Sequence, residues 1–148
     1  MAKKGVPKRE ILAYTAGIID GEGYIGITKS GKHKSGTIRY TMKVVVGSTD
    51  YPMVDFLKVN FGGCVSTRKT VGNRQPQWAW EVTSNKAVVF LNQIIEFLRI
   101  KRTQAELAVM FQGDGRPMRK ATKNETTNIK KYVSELKKLN AVGRKAVA

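Results

Sequence analysis

The 148-residue sequence is poor in side chains that cross-link chains or bind soft metals. Cys64 is the only cysteine, which excludes an internal disulfide and a cysteine-rich zinc site, and no second histidine is present to join His33 in a metal site. Long apolar runs are also missing, so we expect neither a signal peptide nor a membrane span. We therefore expect an intracellular protein without a membrane partner, cytoplasmic in a prokaryote or retained in the organelle that encodes it.

Acidic residues are scarce as well. Eleven Asp and Glu stand against 27 Lys and Arg, which gives a formal net charge of +16, while 41% of the residues are hydrophobic. This combination predicts a folded protein with a polyanionic partner rather than a disordered basic tail. Ribosomal proteins and proteins that bind membrane surfaces share such a charge. The length predicts a single domain over residues 1–148.

The hydrophobic spacing alternates between helical and period-two patterns along the chain. It predicts a helix over 7–20, a hairpin from "YIGITKSG" and "TIRYTMKVVVGS", a helix at "YPMVDFLKVNFGG", and a second hairpin from "CVSTRKTVG" and "QPQWAWEVT". Further helices are predicted at about 86–98, 103–112 and 124–139. The order predicts an α+β fold in which helices cover one face of a four-stranded antiparallel sheet and leave a basic face open. Trp78 and Trp80 share a face with Val82 and are predicted to be core residues rather than stacking platforms for a single strand.

The first predicted helix carries small residues four positions apart, at Ala13, Gly17 and Gly21. They form a narrow groove that lets a second backbone approach closely, or that packs on the sheet. The same helix ends in two acids, Asp20 and Glu22. Carboxylates at a helix C-terminus lie beside the negative end of the helix dipole, at a cost of ~0.3–1 kcal/mol each, so we expect a positive charge there.

The stretch "TAGIIDGEG", residues 15–23, resembles the LAGLIDADG signature of homing endonucleases. Identical positions are Ala16, Gly17, Ile19, Asp20 and Gly23; Ile18 and Glu22 are conservative replacements, and Thr15 departs from the family's leucine. The predicted element order is that of the family, and "FLRIKRTQ" near residue 100 is similar to its lysine-bearing stretch. The resemblance covers about 7–112 and leaves a basic helical extension at about 116–148. "LAVMFQGDG", residues 107–115, repeats the signature only superficially and is predicted to be an ordinary helix end.

The resemblance implies the fold of the family, an α-β-β-α-β-β-α core with DNA on the open face of the sheet, and a homodimer. The residues implied at the dimer interface are Ala13, Ala16 and Gly17. Glu22 and the carbonyl of Gly21 are the implied metal ligands, for Mg²⁺ with Mn²⁺ able to substitute. Lys101 and Asp20 complete the implied catalytic set, Asp20 by orienting the helix ends. For Lys101 the alternative is an ordinary solvated lysine.

The implied activity is that of an intron-encoded, metal-dependent endonuclease. Such an enzyme cuts double-stranded DNA at a long, roughly palindromic site and leaves 3′ overhangs. Two alternatives stay open on the same fold: an RNA-binding maturase that assists splicing of its own intron, and a DNA-binding regulator without cleavage.

Alternation along the predicted strands gives the side chains that would face DNA. The third strand allows Ser66 and Arg68, or Thr67 and Lys69 if a bulge shifts the register. The full predicted set is Tyr24, Gly26, Thr28, Ser30, Lys32, Lys34, Arg39, Thr41, Lys43, Ser66, Arg68, Gln75, Gln77 and Ala79.

Overall fold

The computed structural model describes residues 7–32, 34, 36, 38–68, 71–72, 75–113 and 123–145. The side chains of Ser30, 123–128 and 142–145 are outside this description. His33, Lys69 and the part of the predicted C-terminal extension at 116–122 and 146–148 lie outside the described residues.

Five helices and four strands follow one another in the predicted order. The helices are α1 (Arg9–Glu22), α2 (Tyr51–Phe61), α3 (Ser84–Ile94), α4 (Arg102–Gly113) and α5 (Lys123–Lys145). The strands are β1 (Gly23–Lys32), β2 (Ile38–Ser48), β3 (Cys64–Arg68) and β4 (Gln77–Thr83). Among the described residues, no helix combines the length and the apolar composition that crossing a membrane requires.

The strands form one antiparallel sheet in the order β1-β2-β4-β3, so the two hairpins meet at β2 and β4 in the centre. Ile25, Val44 and Val82 are aligned across three strands, and all three are buried. Because side chains alternate between the faces of a strand, this row defines the face that the helices cover. The opposite face, which we call the outward face, carries the row Tyr24, Val45, Glu81 and Cys64. The predicted α+β class and four-stranded antiparallel sheet are confirmed.

The core lies between the inner face of the sheet and helices α1 to α4. Trp80 is fully buried, contacts Phe90 edge-on and donates from its indole nitrogen to the carbonyl oxygen of Gly62 at 2.7 Å. Trp78 is half-buried and packs edge-on against Tyr51. The prediction that both tryptophans belong to the core is therefore confirmed, since both lie on the inner face.

Helix α5 packs against the free edge of β1, although the sequence pattern indicated an extension outside the core. Leu136 is 2% exposed and belongs to the core cluster, and the ring of Tyr132 packs on Phe111 of α4. The side-chain amide of Asn140 donates to the carbonyl oxygen of Ile25 at 3.1 Å. An edge strand presents unpaired backbone groups, and this hydrogen bond satisfies one of them.

The predicted ends of three helices differ from the observed ones, and α5 continues to Lys145 instead of ending at about 139. Helix α1 runs two residues past Asp20 because the chain turns only at Gly23, whose N–H still bonds to the carbonyl of Ile19. Helix α3 ends at Ile94, a 3₁₀ turn follows over Ile95–Phe97, and the chain turns away at the extended residue Leu98. The side chain of Leu98 is buried, so core packing rather than a local stop signal ends this helical segment.

Candidate active site at the end of helix α1

The junction between α1 and β1 is unusually close, and Gly23 makes it possible. A β-carbon added at Gly23 would lie 2.8 Å from both the Cα and the carbonyl oxygen of Ile19, too close for any other residue. The φ of Gly23 is −82°, so the requirement is space rather than backbone conformation. As a result, the helix runs directly into the strand. Glu22, the last residue of α1, is exposed at the end of the sheet, and Gly21 is exposed beside it.

Asp20 joins the end of α1 to the segment that carries Lys101. One carboxylate oxygen accepts a hydrogen bond from the backbone N–H of Arg99 at 2.9 Å. The other accepts from the N–H groups of Ile100 and Lys101 at 3.1 and 2.9 Å. Backbone donors therefore occupy both oxygens, while the orientation of the helix ends by Asp20 stays a prediction. Asp20 acts as a positioning residue in this structure.

The ammonium group of Lys101 lies on the C-terminal carbonyls of α1. It donates to the carbonyl oxygen of Ile19 at 3.1 Å and to that of Gly23. Partial burial lowers the pKa of Lys101 from its ordinary value of 10.5, while the negative charges of Asp20 and Glu22 act in the opposite direction. This ammonium is a positive charge of the kind that the two acids at a helix C-terminus led us to expect. The alternative of an ordinary solvated lysine does not describe these contacts.

A single chain offers an incomplete metal site. Among the described residues, no group of three or more His, Cys, Asp or Glu side chains is close enough to hold a metal ion. Hard divalent cations take about six oxygen ligands, whereas this chain offers two of the implied ligands, the exposed carboxylate of Glu22 and the carbonyl of Gly21. Their chemistry fits such a cation, but further ligands must come from another molecule or from solvent.

The groove of small residues on α1 faces solvent in the single chain. Ala13, Gly17 and Gly21 are exposed, and a β-carbon added at either glycine would meet nothing within 4 Å. Packing within the chain therefore does not require glycine at these positions. Ala16 is different: it is fully buried in the core, so the prediction that its side chain lies at an interface with a second chain is wrong.

The register of the sheet determines which predicted side chains lie on the outward face. Ser66 pairs with Ala79 and Arg68 with Gln77, whereas Thr67 pairs with Trp78 on the inner face. The first of the two registers considered for β3 is therefore the observed one. On β1 and β2, alignment places Thr28 beside Thr41, Gly26 beside Lys43, and Gly31 beside Arg39 on the same outward face.

A bulge at Ser30 changes the predicted pattern at the end of β1. The register shifts between Lys29 and Gly31, after which Lys32 pairs with Ile38. Lys32 therefore lies in β1 and shares the side of Tyr40, opposite to Arg39, although the sequence pattern placed it in the hairpin loop. The side chain of Ser30 is outside the described residues. Lys34 follows in the turn and is exposed, as is Gln75 just before β4.

Two of the predicted DNA-facing residues are covered by their neighbours. Gly26 is buried beneath the ring of Tyr24. Ala79 is only 5% exposed. The Arg68 side chain reaches Gly47, where an added β-carbon would lie 3.6 Å from its Nη1, and Ala79 lies between β3 and Gly47 in the register. To reach Gly47, the Arg68 side chain must cross β4 at Ala79. The Ala79 side chain is therefore covered, and the prediction that it contacts DNA directly is wrong.

Several residues of the outward face were not predicted from the sequence, among them Val45, Gly47 and Glu81. Val45 and Glu81 align with Tyr24 in one row, and Gly47 aligns with Ala79. Extending the alternation of β2 beyond Lys43 and that of β4 beyond Ala79 would have found them. Glu81 adds an acid to a face that otherwise carries Arg39, Lys43 and Arg68.

The lysines of α5 lie at the β1 side of the molecule. Lys130, Lys137 and Lys138 line an open cavity of about 440 Å³, which Tyr40 of β2 also lines. Lys130, Lys131, Lys137 and Lys138 are all exposed, while Leu136 of the same helix faces the core. One side of α5 is thus a basic surface next to the edge of the sheet.

The fold and the site define an α+β protein with acids at the end of a partly buried helix and an open four-stranded sheet. Residues 15–112 match the family model described as LAGLIDADG endonuclease. The chain therefore belongs to the LAGLIDADG endonuclease family.

Solved structures of homing endonucleases share the fold. The archaeal intron-encoded homing endonuclease I-Vdi141I, complexed with DNA, has a TM-score of 0.69 and 18% identity, and the match covers 86% of this chain and 82% of that one. For I-CvuI in complex with the I-CreI target, the TM-score is 0.59 with 16% identity over 84% of this chain and 93% of that one. I-TnaI gives 0.57 with 18% identity over 90% and 96%. At these identities the likeness concerns the fold. No curated protein matches the chain significantly.

Proposed function

We propose that this chain is a site-specific endonuclease for double-stranded DNA, active as a homodimer with Mg²⁺ or Mn²⁺. One observation carries the proposal: the Lys101 ammonium lies on the carbonyl oxygens of Ile19 and Gly23, where α1 ends in Glu22 and runs into β1. The charge of Glu22 acts on Lys101, and the sheet face beside them is open and carries Arg39, Lys43 and Arg68. Several homing endonucleases of this fold were solved with DNA, including I-Vdi141I, and I-CvuI was solved with its target in the presence of Ca.

The exposed groove of α1 supports the homodimer. Ala13, Gly17 and Gly21 leave room for a second helix backbone, and a two-fold axis along this groove would place the same groove of a second copy against it. Such an axis brings the two Glu22 carboxylates together at the helix ends. Carboxylates that approach each other need cations between them to stay ionised, and oxygen ligands suit Mg²⁺.

The residues of the site then have distinct roles in phosphodiester hydrolysis. A divalent ion, when bound, supplies activation of water and stabilisation of the leaving oxygen. Glu22 and the Gly21 carbonyl would hold the ion, and the Lys101 ammonium would offset the charge of the phosphate. Asp20 holds the Arg99–Lys101 backbone in place, which fixes the position of the Lys101 ammonium.

The outward face would lie along the major groove of the DNA. Arg39 and Gln77 carry side chains that can bond to guanine and adenine edges, respectively, while exposed lysines contact phosphates. Two copies of the face, related by the dimer axis, predict a long and roughly palindromic site. Two active sites on the dimer axis would cut both strands, and the family resemblance implies 3′ overhangs.

Selection from a randomised duplex library with Mg²⁺, followed by sequencing of the cut ends, tests the activity. We expect the wild type to release fragments with one consensus and Glu22→Gln to release none, while the affinity of this variant for DNA stays equal or increases because a negative charge near phosphates is removed. Glu106→Gln is the matched control, since it removes an exposed surface carboxylate of α4 that forms an ion pair with Arg102. Cleavage by Glu22→Gln at the wild-type rate would contradict the role of Glu22.

The same experiment separates the two alternatives. A duplex that is bound with a definite preference but never cut, with Mg²⁺ or Mn²⁺, would indicate a DNA-binding regulator. Preference for a folded RNA over every duplex would indicate a maturase.

A further inference from the structure

On the outward face, the side chain of Tyr24 occupies the space in which a side chain at position 26 would lie, where the sequence has glycine. A β-carbon added at Gly26 would lie 2.6 Å from Cε1 of Tyr24 and would overlap its Cζ and Oη atoms. The Tyr24 side chain therefore runs along β1 with its phenol end over Gly26, and Gly26 is buried although it is on the open face. Tyr24 itself remains 39% exposed.

This position places the Tyr24 hydroxyl in a defined part of the sheet. Gly26 pairs with Lys43 of β2, so the phenol lies next to the row that Lys43 occupies. In its own row, Tyr24 is aligned with the buried Val45 and the half-buried Glu81. Tyr24 thus protrudes from β1 at this end of the outward face. Its side chain extends from its own row, which contains Val45, to the row of Gly26 and Lys43.

Tyr24 is also the outward residue closest to Glu22, two positions along the chain. If the outward face binds a duplex as proposed above, Tyr24 faces the base pairs or sugars nearest to the cleaved phosphates. We propose that Tyr24 is a specificity-determining residue for these innermost base pairs, and that Gly26 determines where it contacts them by letting the ring lie against the strand. This inference rests on the proposed function.

Gly26 has no side chain of its own to offer DNA, so its role is separable from that of Tyr24. An alanine at position 26 would displace the ring, and the ring is free to move because it is the exposed end of a flexible side chain. The backbone of β1 has no reason to change, since Gly26 does not need a positive φ. Gly26→Ala is therefore expected to fold and to move the Tyr24 ring alone.

The test uses duplexes in which the innermost base pairs of the wild-type site are randomised, and the bound sequences are counted. All proteins carry Glu22→Gln, so that cleavage does not affect the counts. Tyr24→Phe should lower the preference at one of these base pairs by about 2- to 12-fold, the value of one hydrogen bond. Gly26→Ala should change the preference at the same base pairs. In a Tyr24→Ala background, Gly26→Ala should have no further effect.

Gly113→Ala, at the end of α4 and away from the outward face, is the control, because its added β-carbon would meet nothing within 4 Å. It should leave the innermost preference unchanged, and circular dichroism should confirm that all variants are folded. An equal effect of Gly26→Ala with and without Tyr24, or none in either background, would overturn the proposal. Failure of the parent protein to bind any duplex would overturn both this proposal and the proposed function. If the parent protein prefers defined innermost base pairs and Gly26→Ala leaves this preference intact, the role of Gly26 and Tyr24 alone would be overturned.

Discussion

Lys101 lies in an environment that differs from that of an ordinary surface lysine. Its ammonium contacts two carbonyls at the negative end of α1, and its pKa is lowered by burial. Because the folded protein binds this proton less tightly than the unfolded chain, the unfolded chain holds more protons between the lowered pKa and 10.5. The free energy of unfolding must then rise with pH through this window.

The comparison that measures this effect is wild type against Lys101→Met, unfolded in urea at several pH values from neutral to 10.5. The difference in unfolding free energy, wild type minus variant, should increase with pH as the burial penalty on the charged lysine is relieved. A constant or decreasing difference would contradict the assigned environment. The same variant should cut DNA about 10²-fold more slowly, which is the lower range for groups that assist proton transfer.

Helix α5 is the element whose role changes most between sequence and structure. It covers the edge of β1 through Leu136 and Asn140, and it presents lysines on its other side. If these lysines bind the phosphate backbone, their removal weakens binding to every duplex equally, because phosphate contacts carry no sequence information.

The matched test removes two charges at a time. Lys137→Gln with Lys138→Gln should lower affinity for all duplexes and reduce the slope of log affinity against log salt by roughly 0.9 for each phosphate that is no longer neutralised. Lys58→Gln with Lys86→Gln removes the same charge from the exposed surface of α2 and α3, on the helical side of the sheet, and should leave the slope nearly unchanged. Equal slopes for the two double variants would contradict a phosphate-binding role for α5, and a changed base preference would assign it to base recognition instead.

At the scale of the whole molecule, the exposed groove of α1 determines whether the active site can be completed. The β-carbon of a leucine at position 17 would meet nothing within 4 Å in the single chain, and Gly17→Leu replaces a poor helix former, so the isolated fold should gain up to ~0.5–1 kcal/mol. In a dimer the added side chain would separate the two helices. We therefore expect a folded, helical variant that stays monomeric in sedimentation at micromolar concentration and does not cut DNA.

Val59→Leu, which adds bulk to an exposed position of α2, should leave the wild-type dimer intact. A wild type that is monomeric both free and on DNA would leave the metal site without its second carboxylate and would contradict the proposed mechanism. A Gly17→Leu variant that still dimerises would place the interface elsewhere.

Local sequence patterns determined the element types and the two faces of the sheet. Alternation on β2 and β4 separated Trp80 and Val82 from Gln77, because the period of a strand is a property of the backbone. The motif at 15–23 located Glu22 and Asp20, since its glycines and acids are close together in sequence. These predictions depend on neighbours within about ten residues.

Tertiary structure decided what depends on distant neighbours. Asp20 binds backbone groups about 80 residues away, which no spacing near Asp20 indicates. Ala16 and Ala79 have the pattern of surface positions but are buried, Ala16 by the core and Ala79 where the Arg68 side chain crosses the sheet. Side-chain burial is decided by elements that pack together only after folding, so sequence patterns located the candidate residues and the fold decided which of them remain accessible.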